Sequence, residues 1–108
     1  MPSIIGEKFH VIVDYKIGEF NPMYPNIKCQ LNCGHIENVI DASGEIQKAY
    51  VLGVEAPIET FDGRLIAIIH RLNDMENKWV IANRDFTKEE IFEAVSFYEK
   101  YFKIEILM

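Results

Sequence analysis

Residues Asp41 to Val54, DASGEIQKAYVLGV, decide how this chain is read. Ser43-Gly44 supplies a turn, and Gln47 to Val54 is apolar and β-prone enough for a central strand. Glu55-Ala-Pro57 then ends it. The same stretch sets the carboxylates of Asp41 and Glu45 ahead of a single Lys48, so the turn is a metal site, the remnant of one, or a solvated loop.

Working outward, Lys8 to Asp14, KFHVIVD, alternates Phe9, Val11 and Val13 with its neighbours and reads as a strand with one apolar face. The breakers that follow, Gly18, Asn21-Pro22 and Pro25-Asn26, argue for a loop. A short strand resumes near Lys28 to Leu31, cut off by Cys33-Gly34. Downstream, Phe61-Asp62-Gly63-Arg64 places an Asp-Gly pair directly before LIAIIHR, a hairpin signal with φ > 0 available at Gly63. Leu65 to Arg71 is expected to be the most buried strand. A polar connection, Leu72 to Asn77, leads to another short strand, KWVIAN. Four or five short strands joined by tight turns suggest a small barrel or a strongly curved sheet, over about residues 8–84.

The period changes in the last third. Thr87-Lys-Glu-Glu90 matches a capping box, in which the Thr87 hydroxyl accepts from the Glu90 N–H and the Glu90 carboxylate accepts from the Thr87 N–H. Phe86 and Ile91 sit where a hydrophobic staple closes. Ile91, Ala94, Val95, Tyr98, Tyr101 and Phe102 then recur at helical spacing, which predicts an amphipathic helix over about 88–102 that covers an open end or face of the sheet. The tail from 103 to 108, KIEILM, alternates again and pairs as a last strand or docks on a neighbouring subunit, so a homo-oligomer is expected.

At 108 residues the chain fits one domain, and with 49% apolar and 26% charged residues it has the composition of a folded domain. A net charge of −6 without a Lys/Arg cluster excludes a phosphate-backbone footprint, so no nucleic-acid partner is expected. The apolar runs are only strand length, and MPSIIGEKFH has neither the basic start nor the long apolar core of a signal peptide. The expectation is therefore no membrane and a cytoplasmic location. Cys29 and Cys33, if both lay in one strand, would be about 13 Å apart at roughly 3.3 Å per residue, too far to bridge.

Three places could carry chemistry. Magnesium needs oxygen ligands, and loops bearing Glu45, Asp74 and Glu76 could converge at one end of a barrel, with Lys78 beside them to neutralise a phosphate. The alternative is that these are solvated turn residues. The third place, Cys29, Cys33 and His35, offers two thiolates and an imidazole. It lacks the second cysteine pair of a structural zinc site, so free thiols are expected there in preference to zinc. Ser3, Ser43 and Ser96 lie in no nucleophile elbow, and the glycines form no phosphate loop. His70 reads as a strand-end residue and Trp79 as a core or rim aromatic.

The segment Asn32-Cys-Gly-His-Ile36 followed by DASGEIQKAYVLGV resembles the family I soluble inorganic pyrophosphatases, which carry Asn-Tyr-Gly-Phe/Tyr-Ile-Pro and then Asp-Gly-Asp-Pro-x-Asp before an apolar strand. VIVDY, NCGHI, AYVLGV, GRLIAIIHR, ENKWVIA and FTKEEI look more closely like the short pyrophosphatase-like proteins of Gram-positive bacteria. The resemblance spans nearly the whole chain and implies a five-stranded barrel of OB type with a C-terminal helix. It also implies hydrolysis of pyrophosphate by a magnesium-activated water, with aspartates holding the metals and Lys, Arg and Tyr binding phosphate oxygens.

Carried over by position, the three acidic residues of the family turn fall on Ser43, Glu45 and Lys48. An ammonium at the last of these repels a divalent cation instead of coordinating it. The family arginine after Val-Asp falls on Tyr15, and two tyrosines fall on Cys29 and Cys33. Asp74 and Glu76 stand near the remaining metal-ligand positions, and Lys78 matches a phosphate-binding lysine. The resemblance therefore implies a pyrophosphatase-like protein that takes pyrophosphate or phosphate, with an eroded site and weak or lost activity. The alternative is a non-catalytic binding or assembly module on the same barrel.

Overall fold

The computed structural model describes residues 4–20, 26–41, 43–72, 77–100 and 103–108, apart from the side chain of Tyr98. The readings placed on Ser3, Asn21-Pro22, Pro25, Asn73, Asp74, Glu76, Tyr101 and Phe102 lie outside those residues. In chain order the elements are β1 (Lys8–Tyr15), β2 (Asn32–Ile40), β3 (Ile46–Leu52), β4 (Thr60–Arg71), β5 (Asn77–Ala82), α1 (Lys88–Glu99) and β6 (Ile104–Leu107).

One sheet runs β1, β2, β3, β5, β4, β6, and β1 also pairs with β4, which closes the first five strands into a barrel. All pairings are antiparallel except that of β3 with β5. That order, with its single parallel contact, is the Greek-key closure of an OB-type barrel. The protein is thus mainly β with one helix, as the pattern of elements predicts.

Alternation along the strands feeds two cores. Val11, Ile36, Ala49, Val51, Leu65 and Ile81 fill the barrel, with Phe9 set edge-on to Trp79 at 5.0 Å between ring centroids. Tyr50, Leu52, Ala67, Ile69, Val80 and Ala82 point to the outer face, where Ile91 and Val95 of α1 and Ile106 of β6 cover them. From Ala49 to Leu52 β3 is therefore buried on both faces, which is why that part of its sequence is a continuous apolar run. Burying Ile91 and Val95 contributes about 1.5–3 kcal/mol each to holding the helix on the sheet.

The helix begins as its sequence predicts. Thr87 N donates to Glu90 Oε1 at 2.9 Å and Glu90 N donates to Thr87 Oγ1 at 3.1 Å. At its other end Arg71 of β4 forms a bidentate pair with Glu99, at 3.3 Å from Nε and 2.8 Å from Nη2, with both side chains buried. The tail pairs with β4 as a last strand, Ile106 opposite Ile69.

Several expectations are corrected. Gly63 makes no turn; it lies inside β4 opposite Phe9, and a β-carbon there would stand 2.8 Å from the carbonyl oxygen of Ala82. The glycine admits close backbone approach, so β4 starts at Thr60 and not after a hairpin. The strand after the first loop begins at Asn32, not Lys28, and runs through Gly34, because Gly34 answers the close passage of β1. Asn38, at φ 65°, sits where the β2–β3 register shifts. The most buried strand is β3, with Ala49 to Leu52 buried in succession, whereas burial in β4 alternates. The described helix runs Lys88–Glu99, and the last two residues of the expected one, 101 and 102, lie outside the described residues.

Candidate functional site

Parallel pairing of β3 with β5 sets Lys48 directly opposite Lys78. Residues opposed in this way share a face, so both side chains reach the outer surface of the barrel beside α1. Both lysines line a cavity of about 140 Å³. Lys78 Nζ donates to the hydroxyl of Tyr50 at 3.2 Å, which fixes the ammonium toward the cavity wall. Phe97 of α1 closes one side and stacks edge-on with Tyr50 at 6.3 Å.

The ends of β1 and β2 supply the opposite wall. Asp14 and Tyr15 sit at a register shift in β1, and Tyr15 pairs with Cys33. Gly34 leaves no room for a side chain, since a β-carbon would stand 2.0 Å from the Ile12 carbonyl oxygen. Asn32, fully buried, braces the loops behind this wall: its Oδ1 accepts from Ile17 N at 3.1 Å and Ile58 N at 3.4 Å, and its Nδ2 donates to the Ala56 carbonyl at 2.9 Å.

Cys29 and Cys33 both line this cavity as free thiols, and they do not share one strand as the extended separation supposed. Cys29 precedes β2, and the chain bends at Gln30 and Leu31. Backbone bonds between Cys29 and residues 18 and 19 hold the first cysteine, while ladder pairing with Tyr15 and Tyr50 holds the second. The Cys33 thiol hydrogen bond lowers Cys29 from the ordinary 9.0 to about 7, against burial and Glu19, which push it up. The same contact and burial push the Cys33 thiol well above its usual range.

Next to the cavity, and sharing Lys48 with it, lies a shallower depression lined by Asp14, His35, Glu45 and Ile46. His35 Nδ1 and Asp14 Oδ2 are 2.8 Å apart. The turn leading here is organised by Asp41, whose Oδ1 accepts from Ser43 N, Ser43 Oγ and Glu45 N. These bonds, the Ser43 hydroxyl foremost, lower the Asp41 carboxyl, so Asp41 serves the turn.

Of the sequence-predicted residues, Glu45 and Lys78 border these two adjoining hollows, whereas Asp74 and Glu76 lie outside the described residues. The chemistry of the donor set does not fit a divalent cluster among the described residues: no three of His, Cys, Asp and Glu stand where they could hold one metal ion. Cys29, Cys33 and His35 are not such a group among the described residues, and His35 faces Asp14. Sequence reasoning missed Tyr50 and Phe97 as cavity walls. The contact that creates the site joins residues 48 and 78 through a non-local parallel pair, for which spacing carries no signal.

Solved structures with this architecture decide what the fold is. The fold is that of bacterial inorganic pyrophosphatases. The chain is similar to an inorganic pyrophosphatase from Ehrlichia chaffeensis with a TM-score of 0.70 and 13% identity, covering 95% of this chain and 86% of that one. Similarity to the inorganic pyrophosphatase of Helicobacter pylori gives a TM-score of 0.64 at 12% identity, covering 98% and 85%. An inorganic phosphatase from Anaplasma phagocytophilum gives 0.61 at 15% identity, covering 93% and 82%. No protein-family model and no curated protein matches the chain.

Proposed function

We propose that this chain is a pyrophosphatase-like protein that binds pyrophosphate or phosphate at Lys48 and Lys78 and hydrolyses it weakly or not at all. The observation that supports the reading is the register of β3 with β5, which sets Lys48 opposite Lys78, both of them lining one cavity. A phosphate oxygen held by a charged donor gains about 1.5–3 kcal/mol from each such bond, and two donors on one wall suit an anion with several oxygens. Glu45 is the carboxylate that remains in the turn, and Lys48 takes the place where the resemblance puts a metal-binding aspartate. The cation that magnesium would supply is thus replaced, on this reading, by a covalently attached one. The resemblance to short proteins of Gram-positive bacteria and a cytoplasmic location belong to the same proposal; no described helix is long and apolar enough to cross a membrane.

Phosphate release from pyrophosphate with magnesium or manganese, measured beside Glu45→Ala and Asp74→Ala, tests the loss of activity. The expected result is no turnover above these two variants. Metal-dependent turnover that both substitutions abolish would restore the hydrolase reading, with Glu45, Asp74 and Glu76 as metal ligands and Lys78 on the phosphate.

A further inference from the structure

The register that opposes Lys48 to Lys78 continues one strand further. His35 of β2 lies directly opposite Lys48 of β3, and Lys48 opposite Lys78 of β5, so one row across three adjoining strands bears an imidazole and two ammonium groups. Residues opposed in this way leave the same face of the sheet one interstrand spacing of about 4.8 Å apart, which makes the row roughly 10 Å long. The ring of His35 is oriented from β1: its Nδ1 stands 2.8 Å from Asp14 Oδ2, with the histidine side chain 25% exposed. A carboxylate at Nδ1 leaves Nε2 as the ring nitrogen for a ligand, and in the protonated ring that nitrogen is a donor. Lys48 and Asp14 border both the cavity of about 140 Å³ and the shallower hollow lined by His35, so the two adjoin along the row. Glu45 is the other charged group on that hollow.

We infer that this row reads the length of the anion: Lys48 and Lys78 hold one phosphoryl group and His35 takes a second, so the site selects a diphosphate over orthophosphate. The inference rests on the proposed anion site and adds a ligand to it. A single phosphate bridges one interstrand gap and is satisfied by the two lysines. Two phosphoryl groups joined through oxygen extend across the next gap, toward β2. There Nε2–H of His35 donates to an oxygen of the second phosphoryl group, while Nδ1–H donates to Asp14, which holds the ring in place and answers its charge. Against the Glu45 carboxylate on the same hollow, His35 supplies the countercharge that admits a second anionic unit. The resemblance puts Phe or Tyr at this position, neither of which carries a cation, so the histidine is a feature of this chain.

The test titrates pyrophosphate and, separately, orthophosphate into the full chain by calorimetry with a chelator present, at about pH 6, where most of an ordinary imidazole is protonated. His35→Ala is expected to weaken pyrophosphate roughly 10-fold or more, the loss of one charged hydrogen bond, and to leave orthophosphate within about 2-fold. Lys48→Ala is expected to weaken both anions. Nitrogen–proton NMR of the histidine rings in the unsubstituted chain gives a reading that needs no variant: pyrophosphate is expected to shift the His35 Nε2 resonance and orthophosphate to leave it in place. Pyrophosphate affinity unchanged in His35→Ala, equal loss of both anions from a variant that circular dichroism shows to be folded, or a His35 ring unmoved by pyrophosphate would each overturn the inference and leave the lysine site standing. Binding of neither anion to the unsubstituted chain would overturn that site as well.

Discussion

A β-carbon at position 34 would stand 2.0 Å from the Ile12 carbonyl oxygen and 2.9 Å from the Val13 α-carbon, both of them backbone atoms with no rotamer to change. Gly34→Ala is therefore expected to cost about 3 kcal/mol or more, read as a lower denaturant midpoint at unchanged slope. Gly34 and Gly63 also show why single residues are hard to read. In sequence both look like breakers, and only the neighbouring backbone, Ile12 in one case and Ala82 in the other, reveals that they are strand positions. Cys29 and Cys33 were obscured in the same way, because the chain bends at residues 30 and 31 and only Cys33 lies in a strand. With the Cys29 thiol lowered to about 7, its thiolate fraction rises as pH increases through 7 instead of through 9.0. Alkylation of Cys29 by iodoacetamide is expected to follow that midpoint, and Cys33→Ser to move it upward; a midpoint near 9 in the unsubstituted protein would remove the Cys33 contact from the account.

Among the elements, the helix was the most legible, since its cap is written in four consecutive residues and both reciprocal bonds form as read. Thr87→Ala is expected to lose about 1 kcal/mol of stability in thermal or denaturant unfolding. What anchors the other end could not be read, because Arg71 and Glu99 are far apart in sequence and each passes for a surface charge. Both are buried and paired bidentately. Glu99→Gln is expected to cost about 3–5 kcal/mol, while Arg71→Met combined with Glu99→Leu is expected to cost less than that single change, because no lone charge is left buried. A double variant no more stable than Glu99→Gln would contradict this. The strands β1, β3 and β5 were visible as alternation or apolar runs, and β4 was cut short by the misread Gly63.

At the scale of the whole molecule, the barrel class was legible because several short strands with tight turns leave few ways to avoid an open edge. Its closure was not, since the pairings of β1 with β4 and of β3 with β5 join distant segments. The candidate site inherits that difficulty. Lys78 and Glu45 could be named from the residues and the resemblance, but the meeting of Lys48 with Lys78 exists only in the closed barrel. The remaining edge strand, β6, leaves Leu107 and Met108 exposed. The expected homo-oligomer would use it, and removing these last two residues is expected to lower the sedimentation coefficient toward that of a monomer.

On the proposed function, this barrel holds a phosphate-type anion with lysines where a metal-dependent hydrolase would hold metal. Calorimetric titration of pyrophosphate into the full chain in the presence of a chelator tests it most directly. Saturable binding without divalent metal is expected, weakened roughly 10-fold or more by either Lys48→Ala or Lys78→Ala through the loss of one charged hydrogen bond. Absence of binding until magnesium is added, or binding that neither substitution weakens, would contradict it.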